Sequence, residues 1–434
     1  MMTHADIGLS QLVPGLLGMT NVLHYGSGGS VEFLLPPEIA LFQCGTAVAE
    51  PLDDIPAAMA ACLQAPLEYP PLAEAVVPGD RIVIALDHGL PQAAALVAGV
   101  VNSLLEARIE PADVSVLITP ETAALATFDL SSALDATLAS QIEMHVHEPA
   151  NREQLSYIAA SAEAKPIYIN RAIAEADVVI PIGCLRIDES VGYHGVHGEL
   201  FPGFADQETR ERFRSPAIED IQVTRRRRRD EVREAAWKLG AAFTIQVIPG
   251  GGDDVLQILA GEVETVIQEG RRQCDAAWRC RLPQRVSLVV AAISGGPASQ
   301  SWENVGRALA SARRVVQDGG AIALLCDLAT RPGPAVQRIV AARIDEGEHA
   351  LAMREIRRQK TPDAAAAAQI LLAQDQAKIY LASQLDEDTV YELGFAAVDD
   401  PHDLVRLATR HESCLLLSNA QYAVVAADDE AAAP

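Results

Sequence analysis

Aromatic side chains are scarce in this chain: 3 Trp, 8 Tyr and 8 Phe serve 434 residues. Alanine and branched aliphatics must then fill the cores, which suits helices lying close on sheets. Paired cysteines are missing too. The seven cysteines stand at 44, 62, 184, 274, 280, 326 and 414, and no two share a C-x-x-C spacing. That pattern excludes a zinc ribbon. It reads as the reduced thiols of a cytoplasmic protein rather than a disulfide framework. No apolar run reaches the length that spans a bilayer. The opening Met1-Met-Thr-His-Ala-Asp6 lacks the basic region and apolar stretch of a secretory signal. Positive charge is also in short supply: 34 Lys and Arg against 59 Asp and Glu leave a formal charge of −25. Such a balance argues against nucleic acid and anionic membrane as partners. A homo-oligomer is left open. The one basic run, Arg225–Arg229, opens a helix-like stretch that continues to Leu239. Asp230, Glu231 and Glu234 offer it partners on a solvated face.

Apolar residues make up 49% of the chain, so its length permits two or three cores. Arg81-Ile-Val-Ile-Ala-Leu86 reads as a buried strand, followed by a helical pattern from Gln92 to Ala107. Strand-like runs recur at 114–118, 141–147, 166–170 and 178–182, with one or two earlier ones in 30–43. A second series follows the polar stretch 268–284: strands at 286–293, 320–325, 377–382 and 413–418, with a helix from Asn304 to Val316. Strands alternating with helices predict βαβ units. The expected fold is α/β, two open parallel-sheet domains with a cleft between them. The expected boundaries are 1–275 and 280–420, with 421–434 a disordered tail.

Chemistry concentrates in Asp188–Gly203, where carboxylates, histidines and glycines crowd together after the apolar run Ala176–Gly183. Loops at strand ends are where α/β proteins hold binding and catalytic groups. His194 and His197, with Asp188, Glu189 and Glu199 nearby, admit three readings. They can ligate a metal with a carboxylate, do acid–base work, or be loop groups bonded to backbone. Asp87-His88 stands at a strand end, where a site belongs; Asp87 can equally cap the next helix. His145 and His147 share a strand face and read as ordinary histidines. Ser294-Gly-Gly296 reads as a tight turn, with an anion seat before a helix as the other reading.

The order of several segments resembles the nickel-pincer lactate racemase family over nearly the whole chain. These are His24–Pro36, Pro78–Asp87, Pro166–Ile180, Gly192-Tyr193, Phe201–Gly203, Glu208-Thr209, Ser294–Gly296 and Gln376–Ala382. The resemblance implies two α/β domains and a racemase or epimerase of small hydroxy acids. It also marks departures. The lysine that tethers the family's pyridinium nucleotide falls at Gly198, and the nickel-ligand histidine at Arg214. The two catalytic histidines fall at Asp188 and at Thr122, with Glu121 beside it. Gly89 and Leu90 replace the Thr and Arg of the family's Asp-x-Thr-Arg-Pro turn. A lysine expected after the Gly-Gly turn has no counterpart from Pro297 to Gln300. An arginine stays protonated and will not ligate nickel, and glycine carries no amine. The resemblance therefore implies a divergent member that binds, and racemises or epimerises, a 2-hydroxy acid or sugar acid in the interdomain cleft, without the tethered cofactor. A non-catalytic binding or regulatory protein is the alternative. The candidate acid–base residues are His194, His197, Asp188 and Glu121, and His194 and His197 are the candidate metal ligands. The candidate substrate contacts are Asp87, His88, Thr122, Tyr193, Arg214 and Ser299.

Overall fold

The computed structural model describes residues 21–47, 49–125, 127–188, 192–194, 199–216, 221–342 and 349–428. The chain divides into two compact units. One comprises Ala47–Ala277 with Arg354–Ala365; the other comprises the described parts of Met1–Thr46, Trp278–Met353 and Ala366–Pro434. Both are α/β. No described helix is long and apolar enough to cross a membrane.

The Ala47–Ala277 unit is built on a six-stranded sheet. Its spatial order is Glu143–Val146, Val114–Ile118, Ile82–Leu86, Val178–Cys184, Phe243–Pro249 and Val255–Glu262. The first five run parallel and the last is antiparallel to its neighbour. Every residue of Ile82–Leu86 is buried, as expected for a central strand covered on both faces. Helix Ala93–Glu106 covers one face through Leu96, Val97, Val100, Val101 and Leu104. Gly99 lets helix Ile55–Gln64 come close: a Cβ there would stand 2.6 Å from that of Met59. The chain moves outward from Ile82–Leu86 to Val114–Ile118 and Glu143–Val146. It then returns to Val178–Cys184 on the opposite side of Ile82–Leu86. The strand order reverses between these two strands, and their C-terminal ends flank the crevice where open sheets bind ligands.

The other unit has its own six-stranded parallel sheet, in the order Ala396–Ala397, Lys378–Ala382, Val316–Leu325, Val286–Ala292, Ser413–Leu417 and Ala40–Cys44.

Several expectations need correction. Residues 1–275 do not form one contiguous domain, because Ala40–Cys44 pairs with Ser413–Leu417 in the other unit. The tail is not free from residue 421: Val424–Ala427 pairs with Arg279–Leu282, and Gln421 and Tyr422 are buried. Residues 429–434 lie outside the described residues. The cysteines are not all thiols, for Cys44 and Cys280 form a disulfide. Their separation of 236 residues hid a pair that spacing cannot reveal. The polar stretch 268–284 holds the end of helix Val263–Trp278 and the strand Arg279–Leu282. Pro166–Asn170 leaves the main sheet and pairs antiparallel with Leu155–Ala160. The basic run does lie on a helix, Ile221–Lys238, and two of its arginines find partners beyond that helix. Arg227 pairs with Glu163, and Arg228 donates to the carbonyls of Arg212 and Ser215.

Candidate active site

Asp87 is the first residue after Ile82–Leu86, and Arg186 lies just past Val178–Cys184; they stand at the two ends that flank the switch point. Both are nearly closed to solvent, at 1% and 2% exposure. His194 comes to them from the short hairpin of Arg186–Asp188 with Gly192–His194. Its Nε2 donates to Asp87 Oδ2 at 2.7 Å. His88 Nδ1 meets the other carboxylate oxygen at 3.1 Å, and Arg186 Nη2 stands 3.2 Å from His88 Nε2.

These contacts assign the protons. A guanidinium only donates, so His88 Nε2 must accept and Nδ1 must carry the hydrogen toward Asp87. The ligand atoms of Asp87, His88 and His194 lie within 4.8 Å of one another, a spacing a cation can use. Arg186 already occupies the His88 lone pair, however, and the hydrogen bonds hold the cluster together without a cation. His194 Nδ1 has no hydrogen-bond partner among the described residues.

Burial pushes the Asp87 carboxyl up, but His194 and His88 more than offset it and hold it well below the usual carboxylate range. Burial first, and then the Arg186 charge, push His194 down against the pull of Asp87. The pair is therefore a carboxylate orienting a neutral imidazole, with a basic nitrogen turned away from it.

Glu121 and Arg214 also meet. Glu121 stands in the short helix Pro120–Ala124, which follows strand Val114–Ile118. Its carboxylate takes Arg210 Nη2 at 2.6 and 2.8 Å and also pairs with Arg214. Burial pushes the Glu121 carboxyl up, but the two arginines, with His88, pull it further the other way, to about 2.

Other candidates fall elsewhere. Thr122 is buried against Thr119, the cap of its own helix, at 3.1 Å between hydroxyls. Tyr193 sends its hydroxyl to Asp275 at 2.5 Å, under the guanidinium of Arg271. Ser299 belongs to the other unit, where its carbonyl receives Asn304 Nδ2 at 2.8 Å. The preceding turn is tied down by Ser294, which donates to the His24 carbonyl at 3.0 Å. Asp188 pairs through its backbone with Gly192, and its side chain lies outside the described residues, as does all of His197. His147 is a satisfied core histidine: its Nε2 donates to the Ala205 carbonyl at 2.8 Å and its Nδ1 accepts from Asn170 at 3.1 Å.

Sequence reasoning missed two groups. Arg186 could have been found as the first cation beyond a buried strand. Glu199 was noted only as a neighbour; it is 1% exposed and accepts from Thr244 at 3.0 Å. Burial, helped by the charge of Asp87, pushes its carboxyl up to about 8. A surface hollow of about 560 Å³ on helix Ile221–Lys238, lined by Arg233, Trp237 and Glu264 among others, shares no residue with this cluster.

Comparison with known proteins places this geometry in context. Residues 25–219 match the family model described as the lactate racemase N-terminal domain. The match spans parts of both structural units, since Tyr25 precedes the break at Thr46. No sequence among the curated proteins compared with the chain matches it. Among solved structures, the lactate racemase apoprotein from Thermoanaerobacterium thermosaccharolyticum superposes with a TM-score of 0.73 at 16% identity. That alignment covers 94% of this chain and 100% of the other. A protein from Thermotoga maritima follows at 0.62 and 14% identity, over 88% of this chain and 100% of its own. At these identities the superpositions speak for the fold alone.

Proposed function

We propose that this lactate racemase-like chain, whose residues 25–219 match the family model of the lactate racemase N-terminal domain, binds a small 2-hydroxy acid or sugar acid at the switch point of its Ala47–Ala277 unit and inverts it by proton transfer. The observation that carries the reading is the Asp87–His194 pair: a buried carboxylate fixing a neutral imidazole whose second nitrogen is unpartnered among the described residues. In this reading His194 Nδ1 takes the proton from the carbon that bears the hydroxyl. The C–H electron pair passes into the substrate carboxyl as an enediolate, which the nearby guanidiniums stabilise. A proton delivered from water to the opposite face completes the inversion, and His194 releases the proton it took to solvent.

The residues present do not fit a lysine-tethered nickel-pincer nucleotide. At the position where the resemblance implies a histidine ligand stands Arg214, a guanidinium bound to Glu121. No step is routed through that group. Incubating L-lactate and a panel of sugar acids with the protein, and following optical inversion, tests the reading. Tight binding without inversion would favour the non-catalytic alternative.

A further inference from the structure

Helix Gln207–Arg214 sets Arg210 and Arg214 one turn apart, where two cations repel unless something lies between them. Glu121 supplies that anion, chelating Arg210 with both oxygens and meeting Arg214 with one. The match is incomplete. Two cations face one carboxylate, and the cluster keeps a surplus positive charge. Arg210 is 4% exposed; its Nη1 donates to the Gly203 carbonyl, and its Nε has no hydrogen-bond partner among the described residues. The Arg214 side chain is 27% exposed, and among the described residues only its Nη2 is engaged, by Glu121. The cluster borders the switch point: Arg210 senses the charge of Asp87, and Glu121 that of His88.

We infer that Arg210 and Arg214 form an anion seat for the oxygens of a small carboxylate or phosphate ligand, and that Glu121 is its built-in occupant, displaced when the ligand binds. Guanidinium N–H groups donate to carboxylate and phosphate oxygens alike, so a ligand's oxygens can take the Nη2 contacts that Glu121 makes. A carboxylate held on the same chain competes at high effective concentration, which weakens binding of any external anion. The inference deepens the function proposed above and rests on it for the choice of a small acid; the seat itself stands on the arginine geometry.

The test compares thermal unfolding of the wild type, Glu121→Gln and the double variant Glu121→Gln/Arg214→Met. Each is measured in chloride, inorganic phosphate and L-lactate at equal ionic strength. In chloride, Glu121→Gln unfolds at a lower temperature than the wild type, because a buried arginine has lost its partner. Its Tm then climbs with the logarithm of the phosphate or lactate concentration. The fitted affinity is roughly tenfold or more tighter than that of the wild type, since the tethered competitor is gone. The double variant loses this response. A response to lactate marks a carboxylate ligand. A response to phosphate alone keeps the seat but counts against the hydroxy-acid reading, so the two claims fail separately. A shift in Glu121→Gln no larger than in the wild type, or an undiminished one in the double variant, overturns the seat. If Glu121→Gln does not fold in chloride, Glu121→Asp, which shortens the reach of the carboxylate, must show the same anion-dependent gain; the wild-type response in that variant overturns the inference.

Discussion

His194 Nε2 and Asp87 Oδ2 lie 2.7 Å apart although 107 residues of chain separate them. The contact joins the end of the central strand to a hairpin beyond the neighbouring strand. It exists because the strand order reverses between those strands. Removing the imidazole should therefore do two things. His194→Ala should lower any turnover roughly 10²-fold or more, as loss of a general base does. It should also lower stability by about 1–3 kcal/mol, because a buried carboxylate loses a donor. A loop reading of this segment expects hardly any stability change, but the His194 side chain is only 17% exposed. Denaturant unfolding of the purified variant checks this.

Acid should weaken the fold through Glu121. Its folded value of about 2 lies below the ordinary 4.5, so the unfolded chain takes up the proton first as pH falls. The stability it contributes is fully present above about pH 4.5 and is lost between there and about 2. It amounts to at most about 3 kcal/mol. The Glu121→Gln variant should show a correspondingly shallower fall in Tm across that window. An unchanged slope would mean that Glu121 is not held by the two arginines.

Glu199 has the opposite sign. Its folded value is raised to about 8, so the folded chain keeps a proton that the unfolded chain has released. Stability therefore drops as pH rises from about 4.5 to about 8 and levels off beyond. Glu199→Gln keeps a polar group beside Thr244 and removes the titration. It should exceed the wild type in stability by about 3–5 kcal/mol at pH 8.5 and match it near pH 4. Chemical denaturation at the two pH values measures the difference.

These two carboxyls also show what the sequence could and could not convey. Strand ends were legible: Asp87 and His88 stand where an apolar run stops, and the structure brings both to His194. Periodicity likewise revealed most parallel strands, because buried strands read as continuous Val, Ile and Leu runs. The pair Phe243–Pro249 and Val255–Glu262 escaped notice although its residues are mostly buried. Thr244 and Gln246 interrupt the apolar run, and both point to the Glu199 side. Glu121 was legible as a candidate but not as the partner of Arg210 and Arg214, which lie 89 and 93 positions away. Contacts of that span depend on how the chain crosses the sheet, and no local pattern encodes them.

The disulfide makes a prediction of its own. Cys44 ends the strand Ala40–Cys44, and Cys280 lies in Arg279–Leu282. Intact mass after alkylation under denaturing, non-reducing conditions should show five blocked thiols, those of the free cysteines, and two more after reduction. Replacing either bonded cysteine by serine should cost about 2–4 kcal/mol, mainly by freeing the unfolded chain. Seven alkylated cysteines without reductant would contradict the pairing.

The most direct measurement is inversion of a 2-hydroxy acid in D2O, read by proton NMR together with optical configuration. The account predicts that the inverted product carries one solvent deuterium at the hydroxyl-bearing carbon, because His194 removes a proton that exchanges with water. His194→Gln and Asp87→Asn should both abolish this exchange. Inverted product that retains its original hydrogen would show a hydride passing within the site and would contradict the account. So would exchange at the wild-type rate in the His194→Gln variant.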